Sequence, residues 1–176
     1  IKLGVSSRKL TVLDIGTSYS DMLLTGLVSL NLGYSKGLKQ FDNNSRKFIE
    51  TDVNSSCWVI SKSNDLLFIS SDEGTYEYNG KVFKLINDES SYSCAFNFVN
   101  NQLYIGTDNA LLVLNSKYEV QSRFDDIGSV RSIAFDKNGI CVLGTSKNGV
   151  YVLDKQYHLK NIGIKEGLPS LAETNV

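Results

Sequence analysis

LYIGTDNALLVLN, residues 103–115, reads as two antiparallel strands joined by a tight turn. Leu103 and Ile105 fall on one face of the first strand and Tyr104 on the other. Gly106 and Thr107 end it, Asp108 and Asn109 can turn, and 111–114 return. The same phrase is written three more times: LNLGYSKGL at 30–38, LFISSDEGT at 67–75 and CVLGTSKNG at 141–149. The anchors Gly33, Ser70, Gly106 and Gly144 stand 37, 36 and 38 positions apart, and a near-constant period of that size marks a repeat architecture. Function is then to be sought on a surface to which every repeat contributes.

Apolar stretches precede three of the hairpins, at 57–60, 94–98 and 130–135, set off by polar turns such as Asn100-Asn101 and Asp136-Lys137-Asn138-Gly139. Others follow, at 81–86, 118–124 and 157–162. Four short strands per unit predict an antiparallel sheet, and repetition of such sheets predicts an all-β β-propeller of four-stranded blades. Helical repeats fit poorly, because apolar residues alternate at a spacing of two and Gly or Asn punctuates the chain at short intervals. The expected units are 1–20, 21–52, 53–89, 90–127 and 128–166, with 167–176 opening or completing a blade, which makes four to five blades in one domain. The first unit is a shortened copy carried by Leu3, Gly4, Val5 and 10–14. Two arrangements stay open: a segment of a larger propeller, or a small ring closed by pairing 170–176 with 2–6, which would remove exposed sheet edges.

Composition agrees with one well-formed β domain: 176 residues, 41% hydrophobic and 21% charged, are enough for a sizeable core. With 18 basic residues against 19 acidic and no basic stripe, nucleic acid is a poor partner. The longest apolar run, 22–32, is broken by Thr25, Gly26, Ser29 and Asn31 and is too short to span a bilayer. The chain starts at Ile1 without a leader, as a trimmed or processed segment would.

Catalytic constellations are hard to assemble from this sequence. Cys57, Cys94 and Cys141 show no paired metal-ligand spacing and read as small buried hydrophobes. His158 is the single histidine, expected as a solvated residue of an outer strand, so a nucleophile would have no other imidazole base. Asp72-Glu73 and Asp125-Asp126 are neighbours on turns and point apart, whereas a glycosidase needs two carboxyl groups facing each other across the sugar. No cofactor or metal is expected. The glycines lack the strand-loop-helix pattern that cradles phosphate.

LYIGTDN, CVLGTSKNGVYVLD at 141–154, KEGLPS at 165–170 and IAFDKNG at 133–139 together resemble the repeats of the two-component regulator propeller family. The resemblance covers residues 26–170 and is strongest in the last unit. It implies the periplasmic sensor region of a Bacteroides-type hybrid two-component histidine kinase, part of an inner-membrane protein. Such a region would be non-catalytic, would recognise oligosaccharides and would pass the signal to a kinase across the membrane. Partners implied are an oligosaccharide or a protein, neighbouring domains of a longer chain, and a second copy in a homodimer. The alternatives are a protein-interaction scaffold and, less favoured, a carbohydrate-active enzyme domain.

In a propeller, the turns from each outermost strand into the next inner strand gather on one face. Here those turns are Asn54-Ser55-Ser56, Ser90-Ser91-Tyr92-Ser93, Gly128-Ser129-Val130-Arg131 and 167–170, all rich in hydroxyls. Sugar recognition pairs hydrogen-bonding groups with a flat aromatic, which selects Tyr92, Arg131, Trp58, Ser91 and Ser129 as candidate ligand contacts. For Trp58, which continues an inner strand, packing between blades is the favoured structural reading.

Overall fold

The computed structural model describes residues 19–25, 29–34, 37–42, 45–63 and 66–172. Among them, every strand belongs to one of four antiparallel four-stranded meanders, each paired in sequence order. The first holds β1 (Tyr19–Thr25), β2 (Ser29–Tyr34), β3 (Lys39–Asp42) and β4 (Lys47–Glu50). The second holds β5 (Cys57–Ser63), β6 (Leu66–Ser71), β7 (Gly74–Tyr78) and β8 (Phe83–Asn87). The third is β9 (Ser91–Asn97), β10 (Gln102–Thr107), β11 (Ala110–Leu114) and β12 (Val120–Asp125). The fourth is β13 (Val130–Phe135), β14 (Cys141–Thr145), β15 (Val150–Leu153) and β16 (Leu159–Ile162), followed by a 3-10 turn, Ile164–Glu166. β1, β5, β9 and β13 lie each against the next, so the sheets fan outward from adjoining first strands as blades of a propeller. The chain is thus an all-β partial propeller. The expectations for residues 1–18, and for pairing between 2–6 and 170–176, lie outside the described residues.

Each gap between sheets is filled by its own apolar cluster. Leu38, Val53, Cys57, Ile60, Leu67 and Ile69 fill the first; Phe68, Cys94, Leu103, Ile105, Leu112 and Leu114 fill the second. Tyr104, Leu111, Val113, Val130, Cys141 and Leu143 fill the third. Strand alternation explains the partition: Leu112 and Leu114 of β11 face one neighbour, Leu111 and Val113 the other. The three cysteines are buried, one in each gap, as small hydrophobes. Burial pushes the Cys141 thiol well above its usual range, so it stays protonated and unreactive.

The small residues ending each repeated phrase have two distinct jobs. The hydroxyls of Ser71, Thr107 and Thr145 donate to the carbonyls of Gly74, Ala110 and Gly149 at 2.8, 3.1 and 2.8 Å, closing the middle hairpin of three blades. Gly106 permits close approach: a Cβ there would stand 2.3 Å from Ser93 Oγ and 2.7 Å from the Val130 side chain of the next blade. Ser93 Oγ also donates to the Val130 carbonyl at 2.9 Å, so the neighbouring entry strand is held at that spot.

The outer strands begin later than the sequence pattern suggests. Lys81, Tyr118 and Tyr157 precede β8, β12 and β16, and the two tyrosines adopt φ of 65° and 64°. The reason is local: Asn115 Oδ1 accepts the backbone N–H groups of Lys117 and Glu119, and Asp154 Oδ1 those of Gln156 and His158, winding both turns tightly. Each tyrosine then reaches the preceding blade. Tyr118 OH donates to Glu77, and Tyr157 OH accepts from Gln102 Nε2 at 2.7 Å. These contacts offset the cost of the left-handed backbone.

Candidate functional site

Pairing between the first two strands slips at the same place in three consecutive blades. Cys57 faces Ser71 but Val59 faces Ser70; Ser91 faces Thr107 but Ser93 faces Gly106; Val130 faces Thr145 but Ser132 faces Gly144. The extra residue of each bulge is Trp58, Tyr92 or Arg131. A β-bulge leaves one residue unpaired and re-aims its side chain, a device common beside functional sites. In the first blade the corresponding slip falls between Tyr19 and Met22.

The three bulged side chains meet in one row. Trp58 and Tyr92 have ring centroids 5.4 Å apart at an interplanar angle of 54°, and Arg131 lays its guanidinium carbon 3.9 Å from the Tyr92 centroid. Tyr92 thus links an aromatic neighbour in the preceding blade to a cation in the following one, in geometry suited to a cation–π contact. Trp58 is 36% exposed rather than packed between blades, because the bulge turns it out of the ladder. Its indole N–H donates to Asp72 Oδ1 at 2.8 Å, fixing the ring from the adjacent hairpin turn. Arg131 and Tyr92 are half-buried.

Ser91 and Ser129 are not surface contacts. Ser91 is buried, with Oγ donating to the Gly74 carbonyl at 3.1 Å and accepting from Thr75 Oγ1 at 2.9 Å, so it ties the third blade to the second. Ser129 is also buried, and its carbonyl accepts from the Ser146 N–H at 3.0 Å. Both lie close to a bulged residue in the chain, and both are turned away from solvent. For Ser91 strand alternation is the reason, since the neighbour of an outward side chain faces inward; Ser129 lies in the turn before β13.

The acidic residues serve local structure. Asp72 orients Trp58, and Glu73 accepts from Tyr76 OH at 3.0 Å. Backbone N–H groups, first those of Ile140 and His158 respectively, hold the carboxyls of Asp136 and Asp154 below the usual range. His158 is exposed, its Nδ1 3.0 Å from Asp154 Oδ2. Among the described residues no group of three or more His, Cys, Asp or Glu side chains could hold a metal ion.

Burial first, and then the bond to Glu73, push the Tyr76 phenol from 10.0 up to about 12. A raised value means that the folded state holds its proton more tightly. Its stabilising contribution is therefore complete below pH 10.0 and lost as pH rises through about 12. Alkaline denaturation of Tyr76→Phe should lack this component, and ultraviolet titration of the native protein should show the Tyr76 phenol ionising late, together with those of Tyr104 and Tyr118, which burial also raises.

The site face lies on a fold that recurs widely. The extracellular domain of the BT4673 system from B. thetaiotaomicron superposes with a TM-score of 0.77 at 24% identity, covering 96% of this chain and 26% of that one. The extracellular domain of the hybrid two component system BT3049 from B. thetaiotaomicron gives a TM-score of 0.64 at 19% identity, covering 95% and 24%. The Dos1 propeller gives 0.63 at 19% identity, covering 81% and 46%. The propeller expected from the repeats is therefore the fold observed, and this chain spans about a quarter of the length of the two extracellular domains. No helix among the described residues is long and apolar enough to cross a membrane. No curated protein matches the sequence. Residues 1–106 match the family model of the Haemolysin secretion/activation protein ShlB/FhaC/HecB; the described part of that stretch comprises the strands of the first two blades, all of β9 and most of β10 in the third. By that match, which covers more than half of its length, the chain belongs to the ShlB/FhaC/HecB family, and its described residues fold as blades of a propeller.

Proposed function

We propose that the chain is a non-catalytic, ligand-sensing propeller module of a periplasmic hybrid two-component sensor in the inner membrane, and that it recognises an oligosaccharide on the face bearing Trp58, Tyr92 and Arg131. The observation that carries this reading is the row itself: three successive blades each spend a bulge on presenting one flat side chain to a shared surface. Pyranose rings stack on exposed aromatic faces, and Trp58 offers one held rigid by Asp72. Extracellular sensor domains among the similar folds support the placement outside the cytoplasm. Binding would then favour one arrangement of neighbouring domains or of a dimer, since differential affinity for two states is all that signalling requires.

The test is a glycan array followed by calorimetry on the purified chain. Removing either aromatic should weaken binding at least about tenfold, the order expected for a stacking contact in a binding site, with unchanged circular dichroism. Unchanged affinity in both Trp58→Ala and Tyr92→Ala would overturn the assignment, as would turnover of a labelled glycan. A second reading, a protein-docking scaffold serving secretion or activation of a partner, is favoured by the family match over 1–106. A partner protein that competes for the same face, with no saccharide bound, would select it.

A further inference from the structure

Arg131 and Arg123 are held in opposite ways. Arg123 is clamped between Glu89 at 2.6 Å and Asp125 at 2.7 Å, a pairing that neutralises its charge. Arg131 has no carboxylate and no hydrogen-bond acceptor for its guanidinium among the described residues; it lies instead on the face of Tyr92. Stacking a guanidinium on a ring holds the planar fork in place yet leaves its edge N–H donors unused. Such a fork matches an oxyanion with two coplanar oxygens.

The opposite end of the row has the opposite character. There Trp58 carries Asp72 beside it, so an anionic group is repelled from that end and a neutral ring is accepted. The links of 5.4 and 3.9 Å keep the two ends within the reach of a disaccharide. Overall charge cannot supply the selection, since the chain carries 18 basic against 19 acidic residues.

Resting on the sensor reading above, we infer that the row selects acidic saccharides: a sugar carboxylate pairs with the Arg131 guanidinium while the adjoining neutral ring lies on Trp58. Sulfate esters share the oxyanion chemistry and form a separate arm of the test. No bond is made or broken.

The experiment is calorimetry of the purified chain with aldotetraouronic acid, which carries one uronate beside neutral xylose rings, with its methyl ester, a sulfated disaccharide and neutral xylotetraose, repeated on Arg131→Met and Arg131→Lys. The acid should bind at least about tenfold more tightly than its ester, the scale of one charge-assisted pair. In Arg131→Met that preference should vanish while binding of the ester persists. Arg131→Lys, which keeps the charge and loses the fork, should fall between them and guards against a folding defect in the Met variant. Preference for the sulfated sugar that disappears in Arg131→Met would support the inference with sulfate as the oxyanion. Equal binding of acid, ester and neutral sugar overturns it and leaves the sensor reading standing. Binding of no saccharide at all overturns the sensor reading itself.

Discussion

Phe68→Ala is expected to cost about 3–5 kcal/mol, the range for emptying a large aromatic site in a packed interior. Phe68 is fully buried in the gap between the second and third sheets, its ring stacked 6.0 Å from Phe96 and edge-on to Tyr118 at 6.2 Å. Tyr118 sits on a left-handed backbone and reaches Glu77 across the same gap, so it has little freedom to collapse into the hole. Urea unfolding should show a lower midpoint. Phe68→Leu, which refills part of the volume, should recover much of the loss. Equal midpoints for wild type and the Ala variant would mean that the gap does not act as a packed core.

Gly74→Ala should be strongly destabilising. Gly74 opens β7 at φ 135°, and an added Cβ would stand 2.1 Å from the Asn87 carbonyl oxygen and 3.0 Å from Asp88 Cα. Both are backbone atoms at the exit of the outer strand, so relief requires breaking the ladder between β7 and β8. Gly80 supplies the control: it has φ of 87°, but a Cβ added there would meet nothing within 4 Å. Gly80→Ala should therefore show only the conformational cost of about 1–2 kcal/mol, and Gly74→Ala clearly more. Thermal unfolding of the two variants side by side checks the prediction.

The blade pattern is legible in the sequence because burial on both faces makes the middle strands short, near-continuous apolar runs, and because the hydroxyl that closes each middle hairpin must sit at the strand's end. Thr107 and Thr145 mark that point directly. The late starts of the outer strands are hidden, since Tyr118 and Tyr157 look like strand residues by type. Asn115 and Asp154, three positions earlier, hold the missing signal as backbone-binding turn residues. Side-chain chemistry is enough to single out Tyr92, Arg131 and Trp58, but nothing in alternation predicts a slip in pairing, so their convergence is not legible. Each follows a serine by two positions, at Ser56, Ser90 and Ser129, and that recurring triplet is the visible trace of the bulge. Ser91 and Ser129 mislead for the complementary reason: hydroxyl type reveals nothing of which way it points.

Because every interval between neighbouring meanders is sealed by its own oily filling, duplication of one gene segment would add one complete interface without disturbing those already built. It would also add one rung beside Trp58, Tyr92 and Arg131. Growth of the scaffold and lengthening of that row are then the same evolutionary event.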